Sequence, residues 1–273
     1  MWYTLTGKLL GVSEKPFMTH HIQKVAHRGG SALAPQNTLA AFRNALTLPV
    51  DAIELDVQMT RDGHVVVFHD NTVDKLTNGS GNMLDLDFSY LRSLNAAAHF
   101  PGGWPEPQHI PTLREALDLA RGHVQVYIEI KFGERDGVYE RYPNIAQAVV
   151  EEVRAAGMLD RVLIISFDWM ILPIVKALEP ALQTGAIVSD NVWDPRVDHA
   201  LQTLADHVSY MGCDWINMDC DLFANAMPEV AHEHGLKLGV WTVNSSDEIR
   251  RFAAAGVDSI TTDHPDLFSE IKL

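Results

Sequence analysis

Short apolar runs rich in valine and isoleucine recur along this chain, and helical stretches separate most of them. Runs of this kind are typical of strands buried in a parallel sheet, and their alternation with helices predicts an α/β fold. We place eight strands at residues 24–26, 52–57, 124–131, 162–167, 183–188, 214–218, 237–243 and 258–262. Eight strand–helix units fit a single (β/α)8 TIM barrel, which typically takes about 250 residues.

Helices are predicted where apolar residues repeat with a helical period between the strands. Five such stretches cover residues 38–46, 145–156, 169–178, 226–234 and 247–255. The first has Asn37 or Thr38 as its N-cap, and three others end at Gly157, Gly235 and Gly256. Glycine commonly follows a helix because it adopts the left-handed backbone conformation without strain.

One pair of neighbouring strands cannot be joined by a helix. Residues 60–63 read Thr-Arg-Asp-Gly, a hairpin turn signal, and residues 64–68 form a further strand-like run. A parallel crossover needs a dozen or more residues, so we interpret this run as the return arm of a β-hairpin at the C-terminal mouth of the barrel. Folding about Asp62 places His69 roughly opposite Leu55 or Asp56.

The segment between residues 71 and 110 has no clear periodicity and contains two stretches rich in glycine. It is too long for an ordinary loop, so we predict an insertion at the mouth of the barrel and not a separate domain. Residues 1–23 are predicted to form an N-terminal extension, and residues 24–273 the barrel.

Composition narrows the classes of partner. The chain has 21 basic and 36 acidic residues and a net charge of −15, which argues against nucleic acid or an anionic membrane surface as the main partner. No apolar run approaches the ~20 residues that span a bilayer, and residues 1–24 lack the features of a signal peptide. We therefore expect a cytoplasmic protein without stable membrane insertion, in which Cys213 and Cys220 are reduced thiols.

Two predicted strands carry charged residues on one face and apolar residues on the other. Because side chains alternate along a strand, Glu54 and Asp56 share one face of the second strand, and Glu129 and Lys131 share one face of the third. Buried carboxylates are costly without cations, so three acids on a rigid sheet predict a divalent metal. Their hard oxygen ligands favour Mg²⁺ or Ca²⁺ over Zn²⁺, and Lys131 suggests an additional anionic ligand.

Three more polar residues lie at the C-terminal ends of predicted strands. In a barrel, these strand ends line the active site. His27 and Arg28 follow the first strand, and His69 follows the hairpin arm. Two histidines without a nearby serine or cysteine nucleophile favour paired general acid–base chemistry. Arg28 can bind a phosphate bidentately and Lys131 can act on it as a point charge, which suits a phosphodiester and its pentacoordinate transition state.

Eight short motifs stand in order along the chain: His27-Arg28-Gly29, Pro35-Gln36-Asn37-Thr38, Glu54-Leu55-Asp56-Val57, Asp62-Gly63 with Val67-Phe68-His69-Asp70, Glu129-Ile130-Lys131, Ser166-Phe167, Trp241-Thr242-Val243-Asn244 and Thr262-Asp263-His264-Pro265. Together they resemble the glycerophosphodiester phosphodiesterase family, over residues 24 to about 268. Each motif alone is weak, whereas eight in order are highly specific.

The resemblance implies a metal-dependent barrel enzyme that hydrolyses glycerophosphodiesters, a small-molecule substrate class, to glycerol 3-phosphate and an alcohol. The motif residues carry over as Glu54, Asp56 and Glu129 for one divalent cation, His27 and His69 for acid and base, and Arg28 and Lys131 for the phosphate. The family's mechanism implies that a glycerol hydroxyl attacks phosphorus first and that water then opens a cyclic phosphate. This chain departs from the family in having Gln36 where glutamate is usual, which removes a charge near His27.

The aromatic and remaining polar motif residues have simpler interpretations. We expect Trp241 and Phe167 to form an apolar wall for the substrate. Asn244 and Asp263 are interpreted as residues that cap loops or hold backbone. Ser166 is interpreted as structural, because no motif places a base beside it.

Two alternatives remain open. A lysophospholipase D-like or sphingomyelinase D-like phosphodiesterase would share the histidines and acids but accept a lipid chain, and the absence of a long apolar stretch in the insertion disfavours a lipid groove. A catalytically silent barrel would only bind phosphodiesters or a partner protein, and the intact pair of histidines argues against it. Release of glycerol 3-phosphate from a panel of diesters, with and without chelator, separates all three.

Overall fold

The structure is a computed structural model that describes residues 21–271. The predicted N-terminal extension therefore lies outside the described residues except for its last three, of which Gln23 already belongs to the first strand. No helix within residues 21–271 is long and apolar enough to cross a membrane.

The described part of the chain contains eleven strands: β1 (Gln23–Ala26), β2 (Ala52–Met59), β3 (Val65–Val67), β4 (Gln125–Ile130), β5 (Gly133–Arg135), β6 (Val138–Glu140), β7 (Val162–Ser166), β8 (Gln183–Val188), β9 (Trp215–Asp219), β10 (Lys237–Trp241) and β11 (Ser259–Thr262). Eight of them run parallel in the order β1, β11, β10, β9, β8, β7, β4, β2, and pairing of β1 with β2 closes the ring. The predicted TIM barrel is confirmed, because each predicted strand position holds a barrel strand.

The helices are α1 (Leu39–Ala45), α2 (Phe88–Ser93), α3 (Leu113–Ala120), α4 (Ile145–Ala156), α5 (Ile171–Leu178), α6 (Ala200–Tyr210), α7 (Met227–Glu233) and α8 (Ser246–Ala255). The five predicted helices are present, each within two residues of its expected ends. Sequence reasoning missed α2, α3 and α6. The start of α3 had a readable signal, since Thr112 and Glu115 form a capping box.

The predicted hairpin is confirmed. β3 pairs antiparallel with the end of β2, with Val57 opposite Val67, so that His69 falls opposite Leu55. The insertion is less irregular than its sequence suggested, because it contains α2 and a 3₁₀ turn at Met83–Asp85. Its apolar side chains form a small core with the hairpin, made of Val66, Phe68, Val73, Met83, Leu91, Leu94 and Ile110.

The faces of the barrel strands divide the interior by polarity. Outward-facing residues such as Leu55 and Ile128 pack against the surrounding helices in the main core. Inward-facing apolar residues fill the barrel in a second cluster, made of Val25, Ala52, Tyr127, Leu163, Ile165, Ile187 and Trp215. Phe167 and Trp241 pack against this cluster from the C-terminal ends of their strands.

Candidate active site

The chain turns sharply where β1 ends, and this turn sets His27 and Arg28 at the mouth of the barrel. Arg28 and Gly29 have positive φ angles of 52° and 81°. A Cβ atom at Gly29 would meet the Phe42 ring at 2.8 Å, so glycine is required there. The turn aims the backbone N–H of Arg28 at Glu54, whose Oε2 accepts it at 2.9 Å.

Three carboxylates meet inside the barrel near this turn. Glu54 and Asp56 come from β2 and Glu129 from β4, and the parallel register sets Asp56 beside Glu129. One oxygen of each carboxylate lies within 4.8 Å of those of the other two, and all three residues are buried. Three oxygen ligands at this spacing fit one hard divalent cation.

The charges of these acids also fit a cation site. Burial raises the pKa of Glu54 well above its usual value, and the negative charges of Asp56 and Glu129 raise it further. Burial also opposes ionisation of Asp56, but the positive charges of Lys131 and Arg28 outweigh it and hold its pKa low. Oδ1 of Asp56 is buried and has no hydrogen-bond partner among residues 21–271. The raised pKa of Glu54 and the unpaired Oδ1 of Asp56 would both be explained by a metal ion that binds these oxygens.

Two permanent cations lie against the acids. Lys131 Nζ is 2.8 Å from Glu129 Oε1 and 3.7 Å from Asp56 Oδ1. Desolvation lowers the pKa of Lys131, but the charges of Glu129 and Asp56 more than offset this and raise it, so the ammonium stays charged. Arg28 Nε lies 3.3 Å from Asp56 Oδ2, and Arg28 Nη1 donates to Gln36 Oε1 at 2.6 Å. The side chain of Gln36 thus contacts Arg28, whereas the sequence analysis expected the replacement of the family's glutamate by Gln36 to remove a charge near His27.

His27 is held by a carboxylate from the far end of the chain. Its Nδ1 lies 2.6 Å from Oδ1 of Asp263, just beyond β11. Burial opposes ionisation of Asp263, but the hydrogen bond and charge of His27 outweigh it and lower the pKa of the carboxyl. Because an ionised carboxylate only accepts, Nδ1 of His27 donates, and in the neutral ring Nε2 carries the lone pair. Nε2 lies 3.9 Å from Glu54 Oε2.

His69 is arranged in the same way by its immediate neighbour. Its Nδ1 lies 2.7 Å from Oδ1 of Asp70, and this hydrogen bond lowers the pKa of Asp70. The backbone is anchored just before the ring, where the N–H of Phe68 donates to the carbonyl of Asp56 at 3.0 Å. In the neutral ring, Nε2 of His69 therefore also carries the lone pair.

One cavity of about 230 Å³ gathers the candidate residues. Eight of the nine singled out from the sequence line it: His27, Arg28, Glu54, His69, Glu129, Lys131, Phe167 and Trp241. The ninth, Asp56, lies behind Arg28 and Lys131 and is wholly buried. Phe167 and Trp241 meet edge to face with centroids 5.7 Å apart, and Lys131 Nζ is 5.9 Å from the Phe167 centroid. An apolar wall therefore stands beside the charged groups.

A second cavity and a second group of possible metal ligands contain none of the candidate residues. A larger cavity, about 730 Å³, lies between the hairpin and α4, is lined by none of the nine residues, and has its Arg61 and Arg135 paired with aspartates. Asp219, Cys220 and Asp221 could also approach one metal ion. Burial and the neighbouring acids raise the pKa of the Cys220 thiol to about 11, and none of the nine candidate residues belongs to this group.

Several residues complete the site without having been assigned to it from the sequence. Asp263 is not merely a loop residue, since it holds His27, and Asn244 in turn donates to Asp263 Oδ2 at 2.8 Å. Asn37 donates to Asp56 Oδ2 at 2.8 Å. Asp70 had a readable signal, because it directly follows His69. Ser166 donates to the carbonyl of Ile130, as a structural residue would.

This chain is similar in sequence to known phosphodiesterases over nearly its whole length. The sequence profile of the glycerophosphoryl diester phosphodiesterase family matches residues 27–267. A glycerophosphodiester phosphodiesterase of Caldanaerobacter subterraneus subsp. tengcongensis is 35% identical over 247 residues, covering 89% of this chain and 94% of the relative. One from Bacillus subtilis is 31% identical over 264 residues, covering 92% of this chain and 86% of the relative.

A solved structure extends the likeness to the fold. An Oleispira antarctica phosphodiesterase, in complex with the product sn-glycerol-3-phosphate, is 25% identical to this chain with a TM-score of 0.78. The similarity covers 91% of this chain and 95% of that one.

Proposed function

The chain belongs to the glycerophosphoryl diester phosphodiesterase family, and on that premise we propose that it hydrolyses glycerophosphodiesters to glycerol 3-phosphate and an alcohol, using one divalent cation and two histidines. One observation carries the proposal. A single cavity is lined by two carboxylates, two cations and two histidines, and the third carboxylate, Asp56, lies directly behind it. Each histidine is bound through Nδ1 to an aspartate. These groups match the charges and protons that a phosphodiester hydrolysis must handle.

Glu54, Asp56 and Glu129 would hold the cation, for which we propose Mg²⁺ or Ca²⁺. When bound, the ion would offset charge on a phosphoryl oxygen. Three carboxylates against Arg28 and Lys131 leave one negative charge, so a divalent cation makes the group positive by one. That total suits a phosphodiester, which carries a single negative charge.

Arg28 and Lys131 would bind the phosphate. Lys131 lies against the acids and beside the Phe167 ring, so it can contact an anion placed between the metal site and the aromatic wall. Gln36 holds one end of the Arg28 guanidinium, which fixes the plane of its remaining donors. Phe167 and Trp241 would contact the glycerol carbons.

The histidines would move the protons. One Nε2 accepts the proton of the glycerol 2-hydroxyl as the oxygen of that hydroxyl bonds to phosphorus. The other Nε2 donates a proton to the oxygen of the departing alcohol as the bond between that oxygen and phosphorus breaks. This yields the free alcohol and a cyclic phosphate. In the second step the roles reverse: the histidine that donated a proton accepts one from water as the water oxygen bonds to phosphorus. The other histidine returns its proton to the glycerol 2-oxygen as the bond between that oxygen and phosphorus breaks, which gives glycerol 3-phosphate.

The first test measures release of glycerol 3-phosphate from choline, ethanolamine and glycerol diesters. We expect activity to be lost in excess chelator and to return with Mg²⁺ or Ca²⁺. Glu54→Gln and Glu129→Gln should lower metal affinity and abolish turnover. Full activity in excess chelator would contradict the metal assignment. Failure of every diester to react, with metal bound, would favour a silent binding barrel.

The second test addresses the attacking group. A diester that lacks the glycerol 2-hydroxyl should react far more slowly than its parent, whereas changing the alcohol group should alter the rate by only about tenfold, or ~1.4 kcal/mol in barrier. Equal turnover of the deoxy analogue and the parent would show that water attacks directly. Preferred cleavage of a long-chain lysophospholipid would favour the lipid-directed alternative.

The third test separates the two histidines. His27→Ala and His69→Ala should each reduce kcat by ~10²-fold or more. A nitrophenyl leaving group needs no proton, so it should partly rescue only the variant that lacks the general acid. Equal rescue of both variants would contradict the division of roles.

A further inference from the structure

A buried glutamine ties the hairpin arm of His69 to the strand that carries the acids. Gln58 follows Glu54 and Asp56 on the same face of β2 and is wholly buried. Its Nε2 donates to the carbonyl of Phe68 and to the carbonyl of Asp70, both at 2.9 Å. These carbonyls stand on either side of His69, so one amide group fixes the backbone both before and after the histidine.

A buried tyrosine holds the other end of this amide. The hydroxyl of Tyr142, which precedes α4, donates to Oε1 of Gln58 at 2.7 Å. Tyr142 is itself buried, and burial raises the pKa of its hydroxyl, which therefore stays a donor. The orientation of the amide follows from its partners, because two carbonyls can only accept and must face the NH₂ group.

The regular ladder does not reach His69. The last β2–β3 pair joins Val57 to Val67, and a single further bond runs from the N–H of Phe68 to the carbonyl of Asp56. Backbone bonds resume at Asn71, whose carbonyl accepts from the N–H of Met83 at 2.9 Å. Between these two points, the Gln58 amide bonds the carbonyls on either side of His69. Without Gln58, these two carbonyls would lose the donor that the amide supplies, and the peptide groups on either side of His69 would be held less firmly.

We propose that Gln58 and Tyr142 are positioning residues that hold His69 Nε2 in place for proton transfer. The inference rests on the catalytic role proposed above for His69. A displacement of about 1 Å at a reacting group can reduce a rate ~10²-fold, so a clamp on both flanking carbonyls has a direct kinetic consequence. Within residues 21–271, neither side chain hydrogen-bonds to the three acids proposed for the cation or to Arg28 or Lys131, so binding of the cation and of the phosphate should be independent of the clamp.

The test uses Gln58→Met, which keeps a similar volume without donors, and Tyr142→Phe, which removes only the hydroxyl. We expect Gln58→Met to lower kcat ~10–10²-fold and Tyr142→Phe to lower it less, with KM and calorimetric metal affinity near native. Gln125→Met is the matched control: its amide accepts from Gln23 at the opposite end of the barrel, and its turnover should be native.

Two readouts distinguish positioning from a purely structural contribution. The effect of a nitrophenyl leaving group on Gln58→Met should follow that on His69→Ala and differ from that on His27→Ala. The imidazole NMR signals of His69 should shift or broaden in Gln58→Met, while those of His27 stay unchanged.

The outcomes that overturn the inference are distinct from those that overturn the proposed function. If His69→Ala is inactive but Gln58→Met and Tyr142→Phe keep native kcat, the positioning role is wrong and the proposed function stands. If His69→Ala keeps native turnover, the catalytic role of His69 fails and the inference fails with it. Should Gln58→Met not fold, the kcat and leaving-group pattern of Tyr142→Phe decide the question.

Discussion

At the scale of single residues, the carboxylate behind His27 is held more firmly than an isolated His–Asp pair would be. Asp263 accepts from His27 at 2.6 Å, from the Ser31 hydroxyl at 2.5 Å and from the Asn244 amide at 2.8 Å. Three donors stabilise the ionised form and fix its plane. Asp263 therefore both orients the imidazole and determines which ring nitrogen carries the proton.

We predict that Asp263→Asn lowers kcat by ~10²-fold or more while metal affinity stays near native. An asparagine NH₂ facing Nδ1 would favour the tautomer with hydrogen on Nε2, which cannot accept a proton from a substrate hydroxyl. Steady-state kinetics and a calorimetric metal titration check both statements. Asp219→Asn, at the end of another barrel strand, is the matched control and should keep its turnover. Native kcat in Asp263→Asn would show that this carboxylate has no part in proton transfer.

The acids of the site could be predicted from sequence because their placement needs only local rules. Alternation along β2 sets Glu54 and Asp56 on one face, and parallel pairing with β4 brings Glu129 alongside. Asp263 could not be placed in this way. Its contact with His27 spans 236 positions and exists only because β11 pairs with β1 in the closed ring.

At the scale of elements, β2 has one apolar face that packs in the outer core and one charged face that points into the barrel. All eight of its residues are buried, with Leu55 in the outer core and Glu54 in the charged interior. The apolar face stabilises the fold, whereas a carboxyl with a raised pKa is kept at a cost in stability for the sake of the site.

We expect substitutions on these two faces to have opposite consequences. Leu55→Ala should lower the free energy of unfolding by about 2–5 kcal/mol and leave metal affinity near native. Glu54→Gln should leave the stability of the metal-free protein unchanged or higher, and should lose metal affinity. Urea unfolding in excess chelator and a metal titration measure the two quantities. A large loss of stability in Glu54→Gln under chelation would refute this division of the strand.

Prediction of elements from sequence succeeded where apolar spacing was dense and failed where stability comes from distant contacts. The strands are short Val- and Ile-rich runs and were recognisable individually. The insertion is ordered by side chains such as Met83 and Leu91, which pack against the hairpin residues Val66 and Phe68. The spacing of apolar residues within the insertion does not predict this core, because the core also needs hairpin residues from another part of the chain.

At the scale of the whole molecule, the folded barrel buries the three acids side by side, because β2 pairs with β4, whether or not a cation is present. A carboxyl whose pKa is higher in the folded state binds more protons when folded, so stability falls as pH rises through that interval. For Glu54 the interval begins at its ordinary value of 4.5 and extends upward. Asp56, whose pKa is lowered, acts in the opposite sense but only below its ordinary value of 3.8.

Binding of the cation should therefore stabilise the protein more as pH rises above 4.5, because the ion replaces the proton that Glu54 otherwise retains. We predict that the difference in Tm between metal-loaded and chelated protein grows with pH over this range. In chelator, the Tm of the native sequence should fall with pH relative to that of Glu54→Gln, whose amide does not titrate. Thermal unfolding of both proteins at a series of pH values, with and without Mg²⁺ or Ca²⁺, gives the comparison. Parallel Tm profiles for the two chelated proteins would mean that Glu54 ionises as readily in the fold as in water, and the charge argument for the cation site would fail.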